Sequence, residues 1–165
     1  MTGAMDKGID SLIHLLADKL LHRHLTCATA ESCTGGWIAQ TLTSVAGSSA
    51  WFECGFVTYS DVSKSCLLGV EEEVIQRFGA VSEQVARAMA SGAIVHSRAQ
   101  AAVAVTGIAG PDGGSLQKPV GTVVFGWLSP DLVDPDIETV VFDGDRRAIR
   151  WATVVHALEG LSQRL

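Results

Sequence analysis

Residues 29–36 read Thr-Ala-Glu-Ser-Cys-Thr-Gly-Gly. Two possible nucleophiles, Ser32 and Cys33, stand side by side, with the carboxylate of Glu31 before them and a glycine pair after. If a helix begins here, Thr34, Gly35 and Gly36 leave its first N–H groups open, and such groups bind anions or an oxyanion. A hydroxyl attacking a carbonyl beside them would have its oxyanion held, one donor being worth ~3–4 kcal/mol of barrier. The plainer alternative makes Ser32 or Thr34 an N-cap, worth about 1 kcal/mol. These eight residues alone weigh the two readings evenly.

A serine nucleophile needs a base. The segment 58–64, Thr-Tyr-Ser-Asp-Val-Ser-Lys, offers Lys64 and the chain's only tyrosine, Tyr59, five residues apart across a strand-to-helix turn. A neutral lysine can serve as that base. Bringing a lysine pKa down to near neutrality costs roughly 4 kcal/mol, and burial or a nearby cation is the usual means. Asp61 acts in the opposite direction, favouring the ammonium. A tyrosine with a lysine also suggests a short-chain dehydrogenase, but that pairing is Y-x-x-x-K, and the fourth residue after Tyr59 is Ser63. No G-x-G-x-x-G turn follows the first strand either, so that reading is rejected. Which of Tyr59 and Lys64 takes the proton stays open.

Two further segments are candidates. The glycine-rich stretch 106–122 follows a buried strand and is long for a connection between two strands, which is uncommon without a function. It brings Thr106, Gly107, Gly110 and Gly113, with Asp112 or Lys118 to supply charge; a purely structural loop is the alternative. The segment 144–150, Gly-Asp-Arg-Arg-Ala-Ile-Arg, puts Arg146 and Arg147 in the first turn of a helix, where cations oppose the helix dipole. A bound anion would relieve that conflict, and for Arg147 plain solvation is the simpler account. The five histidines and four cysteines show no zinc spacing, so no metal and no cofactor is expected. The four tryptophans read as core or interface, with Trp37 and Trp51 near the proposed site.

These residues need a scaffold, and the chain can build one. Its 165 residues suit a single domain, 1–165, with residues 1–7 expected to be flexible. A hydrophobic content of 47% and a charged content of 18% are globular values. The net charge of −6 argues against a DNA or RNA partner, since phosphate contacts need clustered Lys and Arg. No apolar run is long enough to span a membrane, no leader is visible, and unpaired cysteines fit a reduced, cytoplasmic protein.

Helical periodicity places a helix over 8–23, with Ile9, Leu12, Ile13, Leu16 and Leu20 on one face. A short strand at 26–30 should hand over to a helix from about Thr34 to Leu42. A strand at 52–59, helices at 61–68 and 71–78, and a helix over 81–99 capped by Ser82 follow, the last burying Val85, Met89, Ala93 and Ile94. The run 101–107 is apolar throughout, as a strand buried on both faces is. Strands at 121–128 and 137–143 precede a final helix at 145–163, with Trp151, Val154, Val155, Leu158 and Leu161 inward. The fold class is α/β: three layers, α/β/α, around a mixed, mostly parallel sheet. The last two strands have no helix between them, so part of the sheet should be antiparallel.

The four segments occur together, in this order, in one family. The stretches TAESCTGG, AGSSAWFECGFVTYSDVSKSCLLGV, GAVSEQVA, TGIAGPDGGS, KPVGTV and GDR resemble the CinA C-terminal domain family, including its stand-alone nicotinamide-nucleotide amidases, from about residue 8 onward. The N-terminal domain of two-domain members is not expected in a chain this short. The resemblance implies metal-independent hydrolysis of the carboxamide of nicotinamide mononucleotide to nicotinate mononucleotide and ammonia, in pyridine-nucleotide recycling. It implies Ser32 as nucleophile with Tyr59 and Lys64 as activating partners. Substrate contacts would come from Glu31, Thr34, Gly35, Gly36, Thr106, Gly107, Gly110 and Gly113, with Arg146 as a phosphate partner. It also implies a homodimer. The alternatives are a catalytically silent nucleotide-binding module and an amidase for another small amide. The residues after Tyr59-Ser60 depart from the family's usual Asn and small or acidic pair, although the Tyr-to-Lys spacing is kept.

Overall fold

A computed structural model of the protein describes residues 3–165, with side chains from Gly8 onward. The segment expected to be flexible, 1–7, therefore lies outside the described residues at positions 1 and 2, and only its backbone is described from Gly3. In chain order the elements are α1 (Gly3–His22), β1 (Cys27–Glu31), α2 (Trp37–Leu42), a 3-10 turn (Ser48–Ala50), β2 (Phe52–Val57), α3 (Asp61–Leu68), α4 (Glu72–Phe78) and α5 (Glu83–Val95). Then come β3 (Ala101–Gly107), β4 (Thr122–Leu128), β5 (Asp136–Val141) and α6 (Arg146–Gln163).

The five strands form one sheet in the order β2-β1-β3-β4-β5. β1 pairs in parallel with both β2 and β3, while β4 is antiparallel to both β3 and β5. Only β4 opposes the common direction, which is why the sheet is mixed yet mostly parallel. The connection from β4 to β5 is short and carries no helix, so antiparallel pairing is the arrangement open to it.

Side-chain alternation splits the central strands between two cores. Cys27, Val103, Val105, Phe125 and Trp127 pack under α1, α2 and α6, together with Ile13, Leu16, Ile38, Val154 and Leu158. The opposite face is made of small residues, Ala28, Ala30, Ala102 and Ala104, which meet Val85, Met89 and Ala93 of α5 and Leu68 and Ile75 of α3 and α4. The alanines let α5 approach the sheet closely. Gly92 brings it equally close to α3, where a Cβ would collide with the Leu68 backbone.

The differences from expectation are local. Ile94, Trp151 and Val155 are half-buried at the edges of their cores rather than inside them. β2 ends at Val57, so Thr58 and Tyr59 belong to the turn into α3. The largest shift is at α2, which starts at Trp37 and not near Thr34. Gly35 and Gly36 have φ of 62° and 95°, so the chain turns through left-handed geometry before helix can form.

Candidate active site

The nucleophile turn sits where β1 leaves the sheet. The Ser32 N–H still donates to the Val105 carbonyl at 3.1 Å, and the Thr58 N–H donates to the Glu31 carbonyl at 2.8 Å. Neighbouring strands on both sides therefore fix the residue just before the turn. The Ser32 carbonyl then accepts from the Gly35 N–H at 3.1 Å, closing a tight loop that carries Ser32, Cys33 and Thr34. Ligand sites in open α/β sheets lie at such carboxyl ends of parallel strands.

Glu31, named as a substrate contact, turns its carboxylate inward. Its side chain is fully buried. One carboxylate oxygen accepts from the Ala39 N–H at 2.8 Å and Thr29 Oγ1 at 3.2 Å. The other accepts from Thr34 Oγ1 at 2.7 Å, the Ile38 N–H at 2.9 Å and the Gly36 N–H at 3.1 Å. The anion at the start of α2 is thus the protein's own carboxylate. Of the N–H groups expected to hold an oxyanion, those of Gly35 and Gly36 are occupied, and the Thr34 hydroxyl, Gly36 and Glu31 are committed to one another. A carboxylate at a helix start is favoured by both the open N–H groups and the helix dipole.

Lys64 reaches the turn from α3. Ser60 caps that helix in a capping box with Ser63, so the first turn is firmly placed. The Lys64 side chain is 1% exposed. Its Nζ lies 3.2 Å from Ser32 Oγ, 3.1 Å from the Thr58 carbonyl and 3.5 Å from the Tyr59 carbonyl. Burial lowers its pKa, while the Asp61 carboxylate, 3.8 Å away and mostly exposed, pulls it back up. A neutral amine has two N–H donors and one lone pair. In the neutral form both donors would go to the carbonyls and the lone pair to the Ser32 hydroxyl, the arrangement of a general base.

Cys33, the rival nucleophile, is 6% exposed and packs in the core under α2 and α6. Burial pushes its pKa up to about 12, so the reactive thiolate is scarce at neutrality.

Tyr59 does not meet Ser32. Its side chain is exposed, and its hydroxyl accepts from Arg146 Nη2 at 2.9 Å; only its backbone carbonyl approaches Lys64. Arg146 Nη1 also donates to the Gly110 carbonyl at 2.6 Å. One arginine therefore ties the glycine loop to the turn that carries Tyr59. Asp145 caps α6 through the Ala148 N–H at 2.8 Å and so fixes where Arg146 begins.

The other loop residues divide into structural and open positions. Thr106 is buried and its hydroxyl donates to the Ala80 carbonyl at 2.8 Å. Gly107 is packed where a Cβ would meet Val123 and the Thr122 carbonyl. Gly113 is exposed and has φ of 90°. Lys118 is tied to the backbone after α4: its ammonium donates to the Val81 carbonyl at 2.6 Å and the Phe78 carbonyl at 3.3 Å. Asp112 remains exposed.

The sequence reading missed Arg150. Its Nε donates to the Cys33 carbonyl at 3.0 Å and its Nη2 to the Thr34 carbonyl at 2.7 Å. The guanidinium also lies over the Trp37 ring, 5.3 Å from its centroid, and Trp37 packs on Trp151. Arg150 thus clamps the nucleophile turn to α6. The available signal was its spacing: Arg146 and Arg150 are four apart and share one helix face. Among the described residues no group of three or more His, Cys, Asp or Glu could hold a metal ion.

Together these features define a three-layer α/β/α domain with a buried serine–lysine pair at the ends of its parallel strands. The CinA C-terminal domain model matches residues 9–165, and the chain belongs to that family. It is 51% identical over 155 residues to the nicotinamide-nucleotide amidohydrolase PncC of Pseudomonas putida, covering 94% of this chain and 96% of that one. It is 47% identical over 159 residues to the protein of the same name from Escherichia coli K12, covering 96% of each. The crystal structure of the competence/damage inducible protein CihA from Agrobacterium tumefaciens superposes with a TM-score of 0.86 at 47% identity, covering 93% of both chains.

Proposed function

We propose that this protein is a nicotinamide-nucleotide amidohydrolase that converts nicotinamide mononucleotide to nicotinate mononucleotide and ammonia, returning the pyridine nucleotide to NAD synthesis. The near-full-length likeness to the two PncC proteins supports the substrate and the reaction. The observation that carries the mechanism is the 3.2 Å approach of a buried Lys64 amine to Ser32 Oγ.

In the proposed course, neutral Lys64 takes the Ser32 proton as Oγ attacks the carboxamide carbon. The Cys33 and Thr34 N–H groups are the donors we assign to the oxyanion. Among the described residues they are given neither to a backbone carbonyl nor to Glu31. The tetrahedral intermediate breaks its C–N bond, and ammonia leaves with the proton from Lys64. Water then attacks the Ser32 ester with Lys64 again as base, and nicotinate mononucleotide departs.

Arg146 uses one N–H on each terminal nitrogen for Gly110 and Tyr59. A guanidinium has five, so it can meet a phosphate without releasing the loop. Tyr59, Gly110 and Gly113 border the substrate in this proposal. Thr106, Gly107, Gly35 and Gly36 shape the site by fixing backbone. The enzyme acts on this small molecule in the cytoplasm as a homodimer, without a nucleic-acid partner.

The test is an ammonia assay with nicotinamide mononucleotide, with the product identified by mass. Equimolar ammonia and nicotinate mononucleotide are expected. No ammonia above blank, from folded protein that binds the nucleotide, would leave a silent binding module instead.

A further inference from the structure

We infer that the ring of Tyr59 is a recognition surface for the positive charge of the substrate's pyridinium ring. The inference rests on the amidase reading and gives it a source of selectivity. Nicotinamide mononucleotide carries a carboxamide at one end, a phosphate at the other, and a cationic ring beside the amide.

Tyr59 spans the same interval. Its backbone carbonyl lies 3.5 Å from Lys64 Nζ, which in turn lies 3.2 Å from Ser32 Oγ. Its hydroxyl accepts from Arg146 Nη2 at 2.9 Å, and Arg146 is the phosphate partner in the proposed function. A nucleotide with its amide at Ser32 and its phosphate at Arg146 therefore runs alongside this side chain.

The side chain is held at both ends. Tyr59 is 61% exposed, and a residue so exposed is ordinarily free to turn. Here Arg146, itself tied to the Gly110 carbonyl, fixes the hydroxyl end. The capping box of α3 starts at the next residue, Ser60, and fixes the backbone end. A tyrosine has only two side-chain torsions, so a ring held in this way loses little further freedom when a ligand stacks on it.

The ring face is also uncovered. Elsewhere guanidinium groups lie over aromatic rings: Arg77 over Phe78, Arg150 over Trp37 and Arg164 over Trp127. Among the described residues no guanidinium and no second ring lies over Tyr59, and Arg146 meets it at the hydroxyl. The face of an aromatic ring is its negative side and attracts a cation. Asp61, whose carboxylate is 3.8 Å from Lys64, adds attraction for a cation that does not depend on the ring.

The experiment measures dissociation constants for nicotinamide mononucleotide and for benzamide mononucleotide, the same shape with carbon in place of the charged ring nitrogen. It uses Ser32→Ala, so that binding is read without turnover, alone and combined with Tyr59→Leu or Tyr59→Phe. Ser32→Ala alone should prefer the cationic nucleotide. Tyr59→Leu is expected to cut that preference about 3- to 30-fold, the range of a cation–π contact, and Tyr59→Phe, which keeps the ring, to preserve it. Equal weakening of both nucleotides by Tyr59→Leu overturns the inference and leaves Tyr59 as a wall. An unchanged preference in Tyr59→Leu overturns it too, as does a preference lost in Tyr59→Phe, which would place recognition on the hydroxyl. In each of these cases ammonia release from nicotinamide mononucleotide by the unaltered enzyme leaves the amidase standing, whereas its absence removes both readings.

Discussion

Glu31 and Ala39, eight residues apart, are joined by a 2.8 Å hydrogen bond from the Ala39 N–H to the Glu31 carboxylate. The bond connects the last residue of β1 to the first turn of α2 across the nucleophile turn, and four more donors converge on the same carboxylate. The acidic residue next to Ser32 is therefore a brace for the turn.

Glu31→Gln is expected to destabilise the fold, because an amide turns an NH₂ toward groups that are themselves donors. Losing hydrogen bonds to a buried charged group costs about 1.5–3 kcal/mol each, so a loss of about 3 kcal/mol or more is expected in urea unfolding. Turnover should fall with it. Unchanged stability with a raised KM would return Glu31 to the role of a substrate contact.

Arg150 offers a cleaner separation of positioning from binding. Arg150→Lys keeps the charge but loses the fork that reaches two carbonyls. The expected result is a kcat at least ~10-fold lower with KM changed little, as misplacement of a reacting atom produces. A rise in KM alone would place Arg150 against the substrate.

Asp61 opposes the effect of burial on Lys64. Its carboxylate favours the charged form of Lys64, and the charged form is inactive as a base. Asp61→Asn should lower the Lys64 pKa further and move the acid limb of the kcat/KM profile to lower pH. A limb that stays in place, or moves up, contradicts this. The stability sign is also defined. Since the folded-state pKa of Lys64 lies below its usual 10.5, the unfolded chain binds the extra proton between those two values, and stability rises with pH across that window. Lys64→Met should flatten the rise, measured as Tm against pH.

Cys33→Ala should retain turnover within a few-fold, since a thiol held at about 12 contributes little thiolate. Exposed Cys66 should alkylate well before buried Cys33 in a site-resolved mass measurement. Loss of activity in Cys33→Ala with stability unchanged would move the chemistry to the thiol.

The layout was readable wherever the signal was local. Ser82, expected as a cap, accepts from the Val85 N–H at the start of α5. The unbroken apolar run 101–107 marks the central strand, with its bounds unchanged. Ser32 and Lys64 were legible as types of residue, although their contact across 32 positions was not. What escaped the sequence reading was reach. Nothing local says that Glu31 turns back onto α2, that Tyr59 meets Arg146 across 87 positions, or that Lys118 anchors on the backbone after α4. The glycine pair was misjudged for a related reason. Positive φ at Gly35 and Gly36 delays helix rather than opening it.

The proposed chemistry needs the Ser32–Lys64 contact, and ammonia release from nicotinamide mononucleotide by Ser32→Ala beside the unaltered enzyme tests it most directly. The expected outcome is turnover at blank level in the variant, with an unchanged circular dichroism spectrum and a Tm close to that of the unaltered enzyme. Ammonia from folded Ser32→Ala at the rate of the unaltered enzyme would contradict it.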